Sequence, residues 1–277
     1  VVLDYSFGSA SVVLPSVLAK MGAEVLSVNP FASTQGAAAF DDAWSRVARI
    51  EDLVRTSGSA LGVVFDPDGE TLVIVDDEGR ALNHDQALLT LVTLLGEARP
   101  GACIALPVAA SREAERIARA ADCQIIWTKL SAAHLMEVSN RGGVDFAASQ
   151  EGGYIWPDFL PAYDAVATLA KLLDLLAATG RRLSSVTREL PRVHMAHELV
   201  ATPWERKGAV MRTIVEQAKD REVVLVDGIK VLHPDGWALV LPDPEEPLTH
   251  VWAEAGSDHG ARQLAQEYAR RIRHALR

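Results

Sequence analysis

The chain has 277 residues, 49% of them hydrophobic and 23% charged. That length and balance fit one large or two to three small globular domains with a sizeable core. A formal net charge of −10 repels a phosphate backbone and argues against nonspecific nucleic-acid binding. The basic pairs Arg181-Arg182 and Arg270-Arg271 read as solvated faces, and no apolar run of about 18 residues suggests a membrane span. A cytoplasmic protein is expected.

In chain order, "VVLDY" is a strand, followed by a "GSAS" turn in which Ser9 or Ser11 is placed to cap the helix "SVVLPSVLAKMG", which Gly22 ends. A chain that opens inside a core strand is expected to be a piece of a longer one. "AEVLSV" is the next strand, and "DDAWSRVARIEDLVRTSG" is an amphipathic helix with Val47, Ile50, Leu53 and Val54 on one face. "LGVVF" and "TLVIVD" flank an acidic loop, "DDEGR" is a turn and "DQALLTLVTLL" a helix. Short strand–helix links of this kind imply parallel strands with right-handed crossovers.

Pro100-Gly101 marks a first boundary. Strand, helix and strand follow in "ACIALPV", "SREAERIARAAD" (capped by Ser111) and "QIIWTK". Cys103 and Cys123 adjoin these strands and read as buried reduced thiols. Next come the helix "LSAAHLMEVSN", a strand–loop–strand "DFAASQEGGYIWPDF", and a long helix "AYDAVATLAKLLDLLAATG" ended by Gly180, with Leu169, Leu172, Leu173 and Leu176 as core. After Pro191 come the helix "KGAVMRTIVEQAK" and successive strands with hairpin signals at Asp227-Gly228 and Pro234-Asp235-Gly236. The strand "THVWAEAGS" and a closing amphipathic helix complete an α+β module. The expected fold is α/β: two α/β domains, 1–97 and 98–190, with mixed, largely parallel sheets, and a C-terminal α+β domain, 191–277, with an antiparallel sheet.

Four stretches taken together resemble the α-D-phosphohexomutase family, which includes phosphomannomutases and phosphoglucomutases. They are "VVLDYSFGSASVVLPSVLAKMGAEV", "FDPDGETLVIVDDEGR", "YIWPDFLPAYDAVATLAKLLDLLAATGRRLS" and "VDGIKVLHPDGWALVLPDPEEPLTHVWAEA". Their order and spacing are those of the family's domains two to four. The family's first domain carries a phosphorylated serine that exchanges phosphate with the sugar, and no segment here matches its loop.

The resemblance assigns roles to three loops. The family's metal loop, Asp-Gly-Asp-Gly-Asp-Arg, becomes Asp66-Pro67-Asp68-Gly69-Glu70-Thr71. Alternate carboxylates can converge on Mg²⁺, which wants near-octahedral oxygens; the competing reading is an acidic turn, with Asp66, Asp68 and Glu70 mostly solvated. The sugar loop, Gly-Glu-x-Ser-Gly-His, falls on Ala148-Ser149-Gln150-Glu151-Gly152-Gly153, so Ser149 and Glu151 stand for Glu and Ser, and Gly153 for His. A one-residue shift brings Glu151 nearer the family's Glu without restoring Ser or His. The phosphate loop, Arg-x-Ser-x-Thr-Glu-Pro, becomes Leu241-Pro242-Asp243-Pro244-Glu245-Glu246-Pro247, with acids where hydroxyls stood and no cation in the loop. Like unit charges about 4 Å apart repel by about 4 kcal/mol at an effective dielectric of 20, the wrong sign for phosphate.

Other constellations are weaker. His194 and His197 form H-x-x-H beside Glu198, but no further Cys or His is spaced to complete a zinc site. A helix start at Gly8-Ser9-Ala10-Ser11 is a possible anion seat, but a plain cap is expected. By resemblance, the chain is similar to the mutase-like tail of sugar-nucleotide pyrophosphorylases such as mannose-1-phosphate guanylyltransferase. That implies an N-terminal nucleotidyltransferase domain in the same parent chain, homo-oligomerisation, and a structural or regulatory role without catalysis. The alternative is an active mutase whose phosphoserine domain lies outside this sequence. No nucleic-acid or membrane partner is expected.

Overall fold

Val2 and Leu3 are wholly buried because β1 (Val2–Asp4) runs in the middle of the first sheet. The computed structural model describes residues 1–34 and 43–277; Asp41 and Asp42, read above as the start of a helix, lie outside them. Two compact units result, Val1–Ile126 with Ser131–Pro191, and Arg192–Arg277 with Trp127–Leu130.

In the first unit, β1 pairs in parallel with both β2 (Leu26–Val28) and β3 (Gly62–Phe65), as the short strand–helix links predict. β4 (Leu72–Val75) returns antiparallel to β3, giving the order β2-β1-β3-β4. Helix α1 (Ala10–Met21) buries Leu14 and Leu18, and α2 (Ala43–Ser57) sets Val47, Ile50 and Val54 against Val2, Val64 and Val75. Neither serine caps α1 as expected: Ser9 Oγ donates to the Asp68 carbonyl and Ser11 Oγ to the Gly8 carbonyl. Helix α3 (His84–Ala98) begins in a reciprocal cap between Asn83 and Gln86.

A second sheet of the order β6-β5-β7-β8 uses β5 (Cys103–Pro107), β6 (Gln124–Thr128), β7 (Phe146–Ala148) and β8 (Tyr154–Ile155). β5 and β7 are parallel, and β8 is antiparallel to β7. Its helices are α4 (Arg112–Ala120), α5 (Ala132–Asn140) and α6 (Ala165–Thr179). α6 buries Leu169, Leu172 and Leu175, while Leu173 and Leu176 are only partly covered. A short α7 (Leu183–Glu189), not foreseen, is fastened where Ser184 donates through N and Oγ to Asp77. Both cysteines are free; Cys123 is buried, but Cys103 is only partly so.

In the second unit the sheet is antiparallel throughout, β10-β11-β12-β13-β9. Its strands are β9 (Met195–Ala201), β10 (Val223–Val224), β11 (Ile229–His233), β12 (Gly236–Pro242) and β13 (Leu248–Glu254). One face packs Val200, Val240 and Val251 against Val210 and Ile214 of α8 (Lys207–Gln217) and Tyr268 and Ile272 of α9 (Asp258–Ala275). β9 falls in a stretch to which the sequence pattern assigns no element. The fold is thus the expected α/β architecture with an antiparallel C-terminal sheet. No helix among the described residues is long and apolar enough to cross a membrane.

Candidate functional site

The loop from Asp66 to Thr71 joins β3 to β4 across their last register pair, Phe65 and Leu72. Asp66 turns its carboxylate back into the loop. Oδ1 accepts from the N–H groups of Gly69 (2.7 Å) and Glu70 (2.8 Å). Oδ2 accepts from Thr71 N (3.1 Å) and Thr71 Oγ1 (2.8 Å). Asp68 and Glu70 remain exposed. The Pro67 carbonyl accepts from Ser9 N at 3.0 Å, so the start of α1 braces the loop. These residues do not fit a hard dication. Four donors already surround the Asp66 carboxylate, and among the described residues no group of three His, Cys, Asp or Glu side chains converges to hold a metal.

The β7–β8 loop lies beside it, joined by a β-bridge between Thr71 and Gly153. Ser149 Oγ accepts from Glu151 N (3.2 Å) and Gly153 N (3.0 Å), and Gln150 Nε2 donates to the Ala109 carbonyl at 2.6 Å. Gly152 and Gly153 are buried and Glu151 is exposed. Where the resemblance puts histidine, the Tyr163 ring lies against Gly153. Burial pushes the Tyr163 phenol above its usual range; a hydrogen bond with Ser149 opposes this, and the nearby Glu151 and Glu70 carboxylates add to it.

In the second unit, the β12–β13 loop repeats the arrangement. Asp243 Oδ1 accepts from Glu245 N (2.7 Å) and Glu246 N (2.6 Å), and Oδ2 meets His250 Nε2 at 2.8 Å. These contacts, His250 first, lower the Asp243 carboxyl to about 2. Leu241 pairs with His250 across the sheet and offers no charge. A cation from outside the loop tethers its backbone. Lys207, buried at the start of α8, donates to the carbonyls of Asp243 (2.5 Å) and Glu246 (2.6 Å) and lies 3.5 Å over the Trp204 ring. His194 and His197 do not act together: His194 pairs with Asp258, while His197 contacts His250 at 2.9 Å and stacks on Trp252. His194 precedes β9, whereas His197 lies on it.

All three loops therefore share one device. An early side chain, Asp66, Ser149 or Asp243, accepts from the N–H groups just downstream. Tyr163, Lys207 and His250 were not foreseen as members. Only three-dimensional pairing brings them in, although the polar side chain two to five residues before the N–H groups it accepts from is a local pattern that could have suggested the sealing.

The chain is similar to known phosphohexomutases in sequence and fold. The family model described as phosphoglucomutase/phosphomannomutase, alpha/beta/alpha domain III, matches residues 83–194. A probable phosphoglucosamine mutase of Methanopyrus kandleri is 31% identical over 282 residues, covering 100% of this chain and 62% of that protein. The chain thus spans less than two thirds of the length of that relative. A phosphoglucomutase/phosphomannomutase family protein of Burkholderia thailandensis has the same fold, with a TM-score of 0.81 and 21% identity over 99% of this chain and 60% of that one. An N-acetylphosphoglucosamine mutase of Aspergillus fumigatus, solved with GlcNAc-6P and magnesium, superposes with a TM-score of 0.64 at 13% identity, over 98% and 65% of the two chains.

Proposed function

We propose that the chain is a phosphohexomutase-like region of the α-D-phosphohexomutase superfamily, and that it is a non-catalytic module whose ligand loops have closed on themselves. The observation that supports this is the shared sealing of the three loops by Asp66, Ser149 and Asp243. A sugar phosphate would have to displace Asp243 from the amides of Glu245 and Glu246 and then face three carboxylates. Mg²⁺ would have to draw Asp66 away from four donors. The role left to such a module is structural or regulatory, beside a sugar-nucleotide pyrophosphorylase domain of a longer protein.

A second reading, an active mutase completed by a phosphoserine domain, is favoured by the 31% identity that runs across the whole chain to a probable phosphoglucosamine mutase. Thermal-shift titration with Mg²⁺ and with glucose, mannose and glucosamine phosphates separates the two. The expected result is no saturable shift. A ligand at 100 times its Kd stabilises by about 2.7 kcal/mol, so saturable stabilisation of that order would overturn the non-catalytic reading.

A further inference from the structure

His233 ends β11 in the second unit, with both ring nitrogens engaged by groups from other elements. Its Nδ1 lies 3.1 Å from Nη1 of Arg221, in the link between α8 and β10. Its Nε2 lies 3.0 Å from the Tyr268 hydroxyl on α9. A guanidinium donates and never accepts. Nδ1 is therefore bare and accepts, which puts the ring proton on Nε2, where it is donated to the phenol oxygen. One neutral tautomer joins three elements.

The charge around the ring keeps it neutral. It faces Arg221 from the α8–β10 link, and Glu267 and Arg271 from α9. Arg271 lies 4.7 Å from the centre of the Tyr268 ring and pairs with Glu267. The register partner of His233 on β12, Gly236, carries no charge. Burial first, then Arg221, hold the imidazole below its ordinary 6.5; Glu267 opposes this and Arg271 adds to it. An incoming proton takes Nδ1, the nitrogen without one. Two cationic donors then face each other there. Nε2 keeps its proton and its bond to Tyr268. The break is one-sided: β11 stays with α9, and the α8–β10 link is let go.

That link is lightly held. β10 is an edge strand of two residues, with Val223 opposite Val231 and Val224 opposite Lys230. The Glu222 carbonyl accepts from Leu232 N at 2.9 Å, and Val223 is only partly buried against the core. Arg221 and Leu225 are exposed. Segments with so few buried contacts open locally at low free-energy cost.

We propose that Arg221, His233 and Tyr268 form a proton-operated latch: neutral His233 fastens the α8–β10 link and β10 to the sheet, and its protonation frees them while α9 stays docked. None of the three ligand loops takes part, so this inference and the non-catalytic reading can fail separately.

Two readouts on the intact chain test it. Nitrogen-15 NMR of the His233 ring at neutral pH is expected to show a bare Nδ1 and a protonated Nε2. Amide hydrogen exchange, corrected for the intrinsic pH dependence of the rate, is expected to rise severalfold in residues 219–225 as His233 titrates, with no matching rise in α9. His233→Gln cannot take up the proton, and its amide group offers an acceptor to Arg221 and a donor to Tyr268. Its protection is expected to persist across the same pH range. Arg221→Met, at an exposed position, is expected to leave the link fast-exchanging at every pH. A proton on Nδ1 at neutral pH, or exchange that stays flat through the His233 titration, would overturn the proposal. So would an acid response in His233→Gln equal to the parent's, or parental protection of the link in Arg221→Met.

Discussion

The Tyr163 ring occupies the space that a side chain at Gly153 would need: a Cβ there would lie 2.9 Å from both Cδ1 and Cε1 of the ring. The glycine is therefore kept by packing. Gly153→His should destabilise the protein by about 1–3 kcal/mol through overpacking. Tyr163→Ala in the same chain should relieve that cost, so the double-mutant cycle shows favourable coupling in urea denaturation. A Gly153→His variant as stable as the parent would show that the ring has somewhere else to go.

The acidic loop yields an asymmetric expectation. Asp66→Ala leaves the Glu70 and Thr71 amides and the Thr71 hydroxyl without an acceptor, Gly69 N keeping the Asp66 carbonyl, and should cost about 1–3 kcal/mol. Asp68→Ala and Glu70→Ala, at exposed positions, should stay within about 0.5 kcal/mol of the parent. Denaturant midpoints measured with and without EDTA check this. Equal losses for all three variants, together with sensitivity to the chelator, would instead indicate a shared cation.

The difference between these carboxylates marks where sequence reasoning stops. Alternating apolar and turn residues made the strand–helix order legible, because burial imposes a period on each element. β9 escaped it: the inward set Ala196, Glu198 and Val200 includes an acid, and the outward set includes exposed Leu199, so the two-residue period is scrambled. The spacing of Asp66, Asp68 and Glu70 likewise could not tell which one turns inward. That depends on Thr71 supplying a hydroxyl at 2.8 Å, a residue read in the sequence only as a lost arginine. Tyr163 and Lys207 lie 10 residues from Gly153 and 36 from Asp243, respectively, and no local period joins them to those loops.

Stability should also report on the histidines. Burial, the leading cause, holds His197 and His233 below their ordinary 6.5. Below 6.5 the unfolded chain takes up these protons while the native state resists them, so stability falls as pH drops from 6.5 toward the lowered native values. His197→Gln with His233→Gln should flatten that limb of the urea-midpoint profile. Asp243 acts at lower pH: its folded value of about 2 lies under the ordinary 3.8, so its contribution is complete above 3.8 and is lost as pH falls toward about 2. Asp243→Asn should remove that part of the acid limb, and an unchanged profile in either variant would refute the corresponding assignment.

Lys207 ties both shoulders of the β12–β13 turn to one ammonium beneath it. The apex above, Pro244 and Glu245, projects into solvent. The contour of the turn is thus anchored from below, and its outer chemistry can drift or be rewritten without redrawing the main chain. An engineer wishing to make this turn an anion receptor would begin by removing the resident acceptor at Asp243 and would leave the lysine tether untouched.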